Sequence, residues 1–587
     1  MRLFPVMLAL ITSTLSSPNH LHCRCQPHES CWPSTQAWAN FNRSIGGGLF
    51  GVNPIGRTCH NPTFNQARCE EVQDLSHNAS WLSSQPGALQ WSNWEAWPEA
   101  EERCDLESPR NVPCGQGRIS IYSVLAESVT HIQETVRFAR DNNLRIVVKN
   151  TGHCFLGRSS APGSLQIFTH RLKNITFHDI FTPKGGEKLQ KTYSSTVSIG
   201  AGVQLNELYD AAHAYGLVIV GGYSTTVGAA GGYIQGGGHS MLGPWKGMAS
   251  DNVIEFELVT AEGEHLTANE YVNQDLFWAL RGGGGGSFGV VTSVTIQAYP
   301  DAPLLSADLH IERASADTEF WDAVQVLFSF LPSLNDAGAA GYSAIIPRSG
   351  PEKNAVARVE TQFIFPNETD VKRIHRVMEP LLQTIISVTR ANPELQIQSM
   401  KTFYDYFQAR FGKGDVTGGG SVIGSRMLSR EFLESSTGPT NISTVLSKIE
   451  LATGEAIMGN FVAGGQVTRN GGHISSALHP SWRRALCHIS IVRGWPSNAS
   501  FVEQKAIQDQ VTYVQVPLLK SLEPGQMGAY LNEADPYEPD FQSSFWGENY
   551  AKLYTVKRMW DPNGLFITRL GVGSEDWDEE GFCRIGR

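Results

Sequence analysis

Glycine concentrated in three short segments constrains this 587-residue chain more than any other feature. The segments are residues 148–157, with a Gly-His pair at the centre, residues 221–240, of which eight are glycine, and residues 275–295, which contain five consecutive glycines. Glycine lets the backbone turn where other residues cannot and approach a ligand closely. One such segment would suit a tight turn between strands. Three of them so near one another predict that main chain wraps a large flat ligand.

None of the three segments matches the common nucleotide-binding loops. The G-x-G-x-x-G fingerprint needs a strand before it, a helix after it and an acid about twenty residues further on, and the P-loop ends in G-K-[ST]. A nicotinamide cofactor or a nucleoside triphosphate therefore gains no support. Residues 148–157 still offer exposed backbone amides that can hold phosphate oxygens without a basic side chain.

Hydrophobic periodicity around these segments predicts alternating strands and helices. A strand at 119–124, a helix over 129–139 and a strand at 145–149 form one βαβ unit, and the pattern repeats. The further predicted elements are a strand at 196–200, a helix at 205–215, a strand at 217–220, a hairpin of 253–260 with 265–268, a helix at 275–281 capped by Asp275 and Arg281, and a strand at 289–298. Alternation over 355–365 predicts an antiparallel sheet later in the chain.

Composition changes divide the chain into five parts. Residues 1–17 have the layout of a secretory signal peptide, an apolar stretch too short to span a bilayer, although a buried helix would look similar. Residues 18–114 form an irregular, disulfide-rich segment, 115–300 contain the glycine segments, 301–520 form a second domain, and 521–587 are an aromatic and acidic tail. No later stretch has eighteen uninterrupted apolar residues, so a membrane anchor has no support.

The ten cysteines are strongly clustered. Seven lie between Cys23 and Cys114, and Cys583 makes an even eight, so an exported chain is expected to form disulfides among them, with a pairing that the sequence does not define. Cys154 and Cys487 are then buried free thiols. A zinc site on Cys23-x-Cys25 is disfavoured because one intervening residue is too few for the usual geometry. No metal site is expected.

Net charge and N-glycosylation motifs indicate which partners and which compartment the protein is suited to. The formal net charge is −11 with no basic run, so nucleic acid is not expected as a partner. Six N-x-[ST] sequons are spread over the whole chain, which is typical of a secreted glycoprotein. They stand at Asn42, Asn78, Asn174, Asn367, Asn441 and Asn498.

The three glycine segments together resemble the flavin-binding domain of the vanillyl-alcohol-oxidase and p-cresol-methylhydroxylase superfamily, in its berberine-bridge-enzyme-like branch of secreted fungal oxidases. The resemblance covers 115–300, and the tail motif Tyr-Leu-Asn-Glu-Ala-Asp at 530–535 resembles the branch's C-terminal signature. It implies an α+β protein: a two-subdomain PCMH-type FAD-binding domain plus an α+β substrate domain with an antiparallel sheet. It also implies a monomer that binds one FAD, with the tail returning to the flavin.

The resemblance assigns His153 to a covalent bond with the flavin 8α-methyl group. Some relatives carry a second link from a cysteine, but Ser224 stands at that position here, which implies a single link. His239 is interpreted as a residue that fixes its loop near the flavin rather than as a catalytic one. The residues implied to hold the cofactor are Asn150, Thr151, Gly152, His153, Gly157, Ser224, Thr226, Gly228, Gly232, Gly237, Gly238, His239, Val291 and Asn532.

The tail motif supplies a candidate base. Several plant relatives have a catalytic tyrosine at the position that Glu533 occupies here, and a desolvated carboxylate beside the flavin can accept a hydroxyl or phenol proton. The alternative is that Glu533 only forms an ion pair between domains. Tyr530 and Asp535 are further catalytic candidates.

These expectations together describe an FAD-dependent oxidase. It would pass hydride from an alcohol, sugar or phenolic substrate to FAD, with O₂ as the final acceptor and hydrogen peroxide as a product. An oxidative cyclase of specialised metabolism is the alternative within the same family. A secreted binding glycoprotein without turnover is disfavoured, because the flavin motifs are intact.

Overall fold

The computed structural model describes residues 23–315, 318–350 and 355–585. The proposed signal peptide at 1–17 lies outside these ranges. Within them the chain forms helices and mostly antiparallel sheets, which confirms the α+β class. The helices of the first 300 residues are α1 Thr35–Ser44, α2 Gln66–Leu75, α3 Ala79–Ser84, α4 Val129–Asp141, α5 Leu205–Ala214, α6 Gly243–Lys246 and α7 Gln274–Leu280.

Disulfides fix the irregular N-terminal segment. The bonds are Cys23–Cys583, Cys25–Cys31, Cys59–Cys69 and Cys104–Cys114. All eight cysteines of the predicted set are therefore paired, and the first bond ties this segment to the last residues of the tail. Cys154 and Cys487 are free, and only Cys487 is fully buried as predicted.

The first sheet has four strands in the order β1-β2-β4-β3. These are β1 Leu49–Gly51, β2 Tyr122–Leu125, β3 Ile146–Lys149 and β4 Leu165–Phe168. Helix α4 connects β2 to β3 as predicted, but β4 lies between these two strands and pairs with both in parallel. Ser128 caps α4, and Ile132, Val136 and Ala139 pack its apolar face into the core. The glycine segment at 148–157 follows directly from β3.

The second sheet has five antiparallel strands in the order β5-β6-β10-β8-β9. These are β5 Ile175–Phe181, β6 Tyr193–Gly200, β8 Val253–Val259, β9 His265–Asn269 and β10 Val290–Gln297. The predicted hairpin is formed by β8 and β9. The second βαβ unit is wrong: β7 Leu217–Val218 pairs with β11 Tyr299–Pro300 instead of joining β6. Only two residues of the predicted strand pair, because the chain then enters its glycine segment.

The two predicted caps of α7 differ in outcome. The helix begins at Gln274, after Asn273, so Asp275 lies inside its first turn and accepts a hydrogen bond from Trp560 Nε1 at 2.9 Å. Arg281 does stand at the C-terminal cap, and its guanidinium donates to the carbonyl of Ser475 at 2.6 Å. Both residues are therefore structural, as expected.

The third sheet has seven antiparallel strands in the order β15-β12-β14-β13-β17-β18-β16. They are β12 Leu304–Ala314, β13 Ala340–Ser349, β14 Val356–Pro366, β15 Glu394–Met400, β16 Gly420–Ser429, β17 Ile457–Phe461 and β18 Ala485–Trp495. One face packs on helices through a core that includes Leu327, Ile374 and Ile489. Residues of the opposite face, such as Tyr342, pack with the glycine-rich half of the chain.

The remaining helices surround this sheet and form the tail. They are α8 Glu319–Asp336, α9 Val371–Thr389, α10 Phe403–Phe411, α11 Arg430–Glu434, α12 Gly438–Leu446, α13 Gly465–Asn470, α14 Phe501–Gln510, α15 Val516–Lys520, α16 Phe541–Trp546 and α17 Tyr550–Trp560. In the tail, buried Lys557 pairs with Asp561 at 2.6 Å and donates to the carbonyls of Ser287 and Phe566, which holds α17 on the glycine-rich half.

The exposure of the sequon asparagines and the character of the helices can be compared with the expected glycosylation and the expected lack of a membrane anchor. Five sequon asparagines are exposed, at 78, 174, 367, 441 and 498, and Asn42 is half-buried. All six thus lie on or near the surface, where a glycosylation acceptor belongs. Among the helices of the described residues, none has the length and apolar character needed to cross a membrane.

Candidate active site

A cavity of about 420 Å³ lies where the glycine segments, the seven-stranded sheet and the tail meet. Its walls combine glycine-segment backbone with side chains from residues more than 300 positions apart in sequence. Twelve of the predicted site residues line it: Asn150, Thr151, Gly152, His153, Ser224, Gly228, Gly232, His239, Val291, Tyr530, Asn532 and Glu533. The structure thus brings together most of the residues implied by the resemblance.

Three predicted cofactor glycines do not line the cavity. A Cβ on Gly157 would lie 2.4 Å from the ring of Trp94, one on Gly237 would lie 2.6 Å from Leu478, and one on Gly238 would lie 2.7 Å from Ala249. All three have positive φ. These glycines are therefore required by backbone conformation and close packing, and their assignment to cofactor binding stays a prediction.

Asp535 is also placed away from the cavity. Its Oδ1 accepts hydrogen bonds from Thr512 Oγ1 at 3.0 Å and from the backbone N–H of Tyr537 at 2.9 Å. Burial raises the pKa of this carboxyl to about 6, against the opposing effect of these two hydrogen bonds. Asp535 is fully buried and does not line the cavity, and its hydrogen bonds stabilise the turn after the tail motif.

His153 is fixed at the edge of the cavity by contacts on both sides. Trp91 Nε1 donates to its carbonyl at 3.0 Å, and Trp94 Nε1 donates to the carbonyl of Phe155 at 2.9 Å, so two indoles hold the loop. Its ring Nε2 lies 2.7 Å from Thr226 Oγ1. Thr226 contacts His153 and does not itself line the cavity.

Burial makes His153 a neutral imidazole. Desolvation lowers the pKa of His153 to about 4, against the charge of nearby Asp415, which raises it. A neutral imidazole has a lone pair and can act as a nucleophile. Cys154, predicted to be a buried thiol, instead lines the cavity beside it. Its segment is a turn rather than a strand, so the side chains of neighbouring residues do not alternate between opposite faces.

The cavity wall suits a flat ring system. A Cβ on Gly231 or Gly232 would meet nothing closer than 3.9 Å, so their surface is open to a ligand, whereas a Cβ on Gly228 would collide with Asn150. Asn150 Nδ2 donates to the carbonyl of Ala201 at 2.6 Å. Among the described residues its buried Oδ1 has no hydrogen-bond partner, which leaves an acceptor for a ligand. The residues present therefore fit an isoalloxazine.

Glu533 also lines the cavity and lies between two histidines. Its Oε1 is 2.9 Å from His239 Nε2, and its Oε2 is 3.5 Å from His488 Nδ1 and 3.4 Å from Asn460 Nδ2. About a quarter of the side chain is exposed. The carboxylate is thus held by polar contacts while still reaching the cavity.

Ionisation follows from this arrangement. Burial alone would raise the pKa of Glu533, but the electrostatic interaction and the hydrogen bond with His239 outweigh it and hold the pKa below its ordinary value. Burial lowers the pKa of His488 to about 4. Burial also raises the pKa of Tyr530, whose hydroxyl accepts hydrogen bonds from Gly238 N and Asn532 Nδ2. Glu533 is therefore ionised, and Tyr530 is neutral.

Sequence reasoning missed the support beneath Glu533. Tyr342 on β13, Asn460 on β17 and His488 on β18 are direct cross-strand neighbours in the sheet register. Cross-strand neighbours project from the same face of a sheet, so the three form one polar row. Asn460 and His488 are polar positions inside apolar strands, which was the available signal. Asp415, which lines the cavity near His153, carried no signal of its own.

His239, His488 and Glu533 also offer three metal-ligating atoms within 4.8 Å of one another. Asn460 Nδ2, however, lies 3.1 Å from His488 Nδ1 and also contacts the carboxylate. An amide donor at this position uses the lone pairs that a metal ion would need. The cluster is therefore better described as a hydrogen-bonded carboxylate with two imidazoles.

The glycine walls, the cavity-facing histidine and the held carboxylate define a flavin-dependent oxidoreductase. A family model described as an FAD binding domain matches residues 121–269, and one described as berberine and berberine like matches 529–573. The chain is 48% identical over 583 residues to an "Uncharacterized FAD-linked oxidoreductase" of Arthroderma benhamiae, covering 98% of both chains. It is 40% identical over 560 residues to "Flavin-dependent oxygenase ucdF" of Aspergillus ustus, covering 94% of this chain and 99% of the relative.

Solved structures agree with these sequence relationships. The VAO-type flavoprotein MtVAO713 from Myceliophthora thermophila superimposes with a TM-score of 0.87 at 29% identity, covering 96% of this chain and all of that one. The chain therefore belongs to the FAD-linked oxidoreductases of the vanillyl-alcohol-oxidase and berberine-bridge-enzyme-like family. It is an enzyme, and its cofactor is FAD.

Proposed function

We propose that this enzyme is a secreted oxidase with FAD covalently bound to His153, acting on an alcohol, sugar or phenolic metabolite. Bound FAD supplies the hydride acceptor and, once reduced, the reaction with O₂ that yields hydrogen peroxide. The observation that carries the proposal is that a buried neutral imidazole and an ionised carboxylate line the same glycine-walled cavity.

Glu533 has the properties that removal of a substrate proton requires. Its carboxylate is ionised, is fixed by His239 and reaches the cavity. A hydroxyl that loses its proton to this group becomes a better hydride donor from the adjoining carbon. His488 and Asn460 limit the directions in which the carboxylate can turn. The base is therefore preorganised by the sheet rather than by the tail alone.

His153 has the properties that a covalent link requires. It is neutral, and its Nε2 is engaged by Thr226. No hydrogen bond from the described residues reaches Nδ1, so this nitrogen is the one free to react. Ser224 lines the cavity where some relatives carry a cysteine, which supports a single link.

Secretion is supported by several independent features. Four disulfides suit an oxidising compartment, and the sequon asparagines lie on or near the surface. An extracellular enzyme has O₂ available and few soluble electron carriers, which favours an oxidase. A covalent link also prevents loss of the cofactor outside the cell.

The decisive measurement is flavin retention after denaturation. Wild-type protein is expected to keep its yellow colour and in-gel fluorescence, and His153→Ala is expected to lose both. His178→Ala is the matched control, because His178 contacts Ser198 on the five-stranded sheet and does not line the cavity. Colour released quantitatively by acid from the wild type would overturn the covalent link.

A second function receives support from the Aspergillus ustus relative, whose name describes an oxygenase. Screening alcohols, sugars and phenols for hydrogen peroxide release, with ¹⁸O₂ as the gas, separates the two functions. An oxidase releases labelled peroxide and leaves the product unlabelled, whereas an oxygenase transfers label to the product. Determining the product's structure also reveals oxidative cyclisation.

A further inference from the structure

One carboxylate oxygen of Asp415 accepts hydrogen bonds from three consecutive residues of the glycine segment, Ser224, Thr225 and Thr226. Asp415 Oδ2 lies 2.8 Å from Ser224 Oγ, 3.1 Å from Thr225 Oγ1, and 3.3 Å and 3.1 Å from the N and Oγ1 of Thr226. Asp415 belongs to the loop between α10 and β16, in the substrate-domain half of the chain. It is therefore a contact that reaches across from one half of the protein to the other.

Hydrogen-bond chemistry fixes the direction of this chain. An ionised carboxylate only accepts, so the single hydroxyl proton of Thr226 is donated to Asp415. Thr226 Oγ1 then accepts the hydrogen bond from His153 Nε2, 2.7 Å away. His153 is consequently held with its proton on Nε2 and a lone pair on Nδ1.

We propose that Asp415 is a positioning residue for attachment of FAD, acting through Thr226 to hold His153 in its nucleophilic form and to accept the proton that His153 gives up. This inference rests on the proposed covalent link at His153. Asp415 contacts the reacting imidazole only through Thr226, so its part is to orient that imidazole and to take up its proton.

A bond forms between His153 Nδ1 and the 8α-methyl carbon of FAD, and one C–H bond of that methyl group breaks. The methyl proton leaves to solvent, and the Nε2 proton passes through Thr226 to Asp415. The electron pair of the C–H bond enters the isoalloxazine, and O₂ removes two electrons with two protons as hydrogen peroxide.

The test compares covalent and total FAD in full-length protein. Purified wild type and Asp415→Asn are incubated with added FAD, and covalent flavin is followed over time by in-gel fluorescence and peptide mapping. We expect covalent attachment to slow by about 10- to 100-fold in Asp415→Asn, which corresponds to losing one hydrogen bond to a charged group. Total bound FAD should stay near the wild-type value.

Substitutions of Thr226 distinguish the proposed relay from a purely structural role of Asp415, because a structural role would not make the rate of attachment depend on the Thr226 hydroxyl. Thr226→Val removes the bridging hydroxyl and should slow attachment as much as Asp415→Asn, whereas Thr226→Ser should restore it. Thr225→Val is the matched control, because Thr225 also bonds to Asp415 and does not touch His153. The double variant Asp415→Asn/Thr226→Val should be no slower than either single variant, since residues in one relay are not additive.

The outcomes separate the two proposals. A wild type that never forms covalent flavin overturns the link at His153, and with it the relay. A wild type that forms the link, together with Thr226→Val at the wild-type rate, overturns the role of Asp415 alone. The Thr226 pair gives this answer even where Asp415→Asn does not fold.

Discussion

His239 Nε2 lies 2.9 Å from Glu533 Oε1, although the two residues are 294 positions apart in sequence. The contact joins the end of a glycine segment to the tail motif. The sequence offered two interpretations of Glu533, a base beside the flavin or an ion pair between domains. The structure shows a carboxylate that is paired and still reaches the cavity, so the pairing and a catalytic role are compatible.

The first prediction concerns Glu533→Gln. The amide keeps the size of the side chain but cannot accept a substrate proton at neutral pH. Loss of a general base costs about 10²- to 10⁴-fold in rate, so anaerobic flavin reduction by substrate in stopped flow should slow by that factor. Flavin content and melting temperature should change little.

A chelator control sharpens this experiment. A chelator should leave wild-type reduction unchanged, because Asn460 engages the atoms that a metal ion would bind. Equal reduction rates in Glu533→Gln and wild type would assign the proton to another group and leave Glu533 as a structural acid.

The second prediction separates Tyr530 from Glu533. The Tyr530 hydroxyl accepts hydrogen bonds from Gly238 N at 3.2 Å and Asn532 Nδ2 at 2.7 Å, and burial raises its pKa, so it is a neutral positioning group. Tyr530→Phe should slow flavin reduction by about tenfold, the value of one hydrogen bond. A loss as large as that of Glu533→Gln, with a shifted pH profile of reduction, would instead identify Tyr530 as the base.

The sequence predicted the segments that line the cavity better than it predicted the residues that hold those segments in place. The glycine segments and the tail motif are local signals, and their resemblance to a known family was what singled out His153 and Glu533. Asn460 and His488 depend on the register of strands β17 and β18, and Asp415 depends on where a loop 190 residues away folds back onto Ser224–Thr226. Such contacts arise only from tertiary structure.

The third prediction concerns the position where some relatives carry a second flavin link. Ser224 lines the cavity, so Ser224→Cys should yield a doubly attached flavin with an altered visible spectrum, and mapping should find flavin on peptides containing residues 153 and 224. Thr225→Cys is the control, because Thr225 is its direct neighbour and does not line the cavity. A cysteinyl flavin at Cys154 in the wild type would contradict the single link.

The fourth prediction concerns acid stability and His479, which lies outside the cavity. Its Nδ1 accepts from Ser481 N at 3.0 Å and its Nε2 lies 3.1 Å from the carbonyl of Ser543, so both nitrogens serve a neutral ring. Burial lowers the pKa of His479 from 6.5 to about 4, against the hydrogen bond to Ser543, which raises it. Between pH 4 and pH 6.5 the unfolded chain binds more protons at His479 than the folded chain does. The free energy of unfolding therefore falls as the pH drops from 6.5 towards 4.

The two pKa values correspond to about 3 kcal/mol of unfolding free energy lost across that window. Other buried histidines, His153 and His488 among them, add to the wild-type slope, so the test is a difference between variants. His479→Asn retains an acceptor for Ser481 N and does not titrate, so it should lower stability at neutral pH but flatten the decline in acid, measured by urea denaturation. Exposed His473→Asn should leave the slope unchanged. Equal slopes in His479→Asn and wild type would show that His479 is not protonated on unfolding in this window.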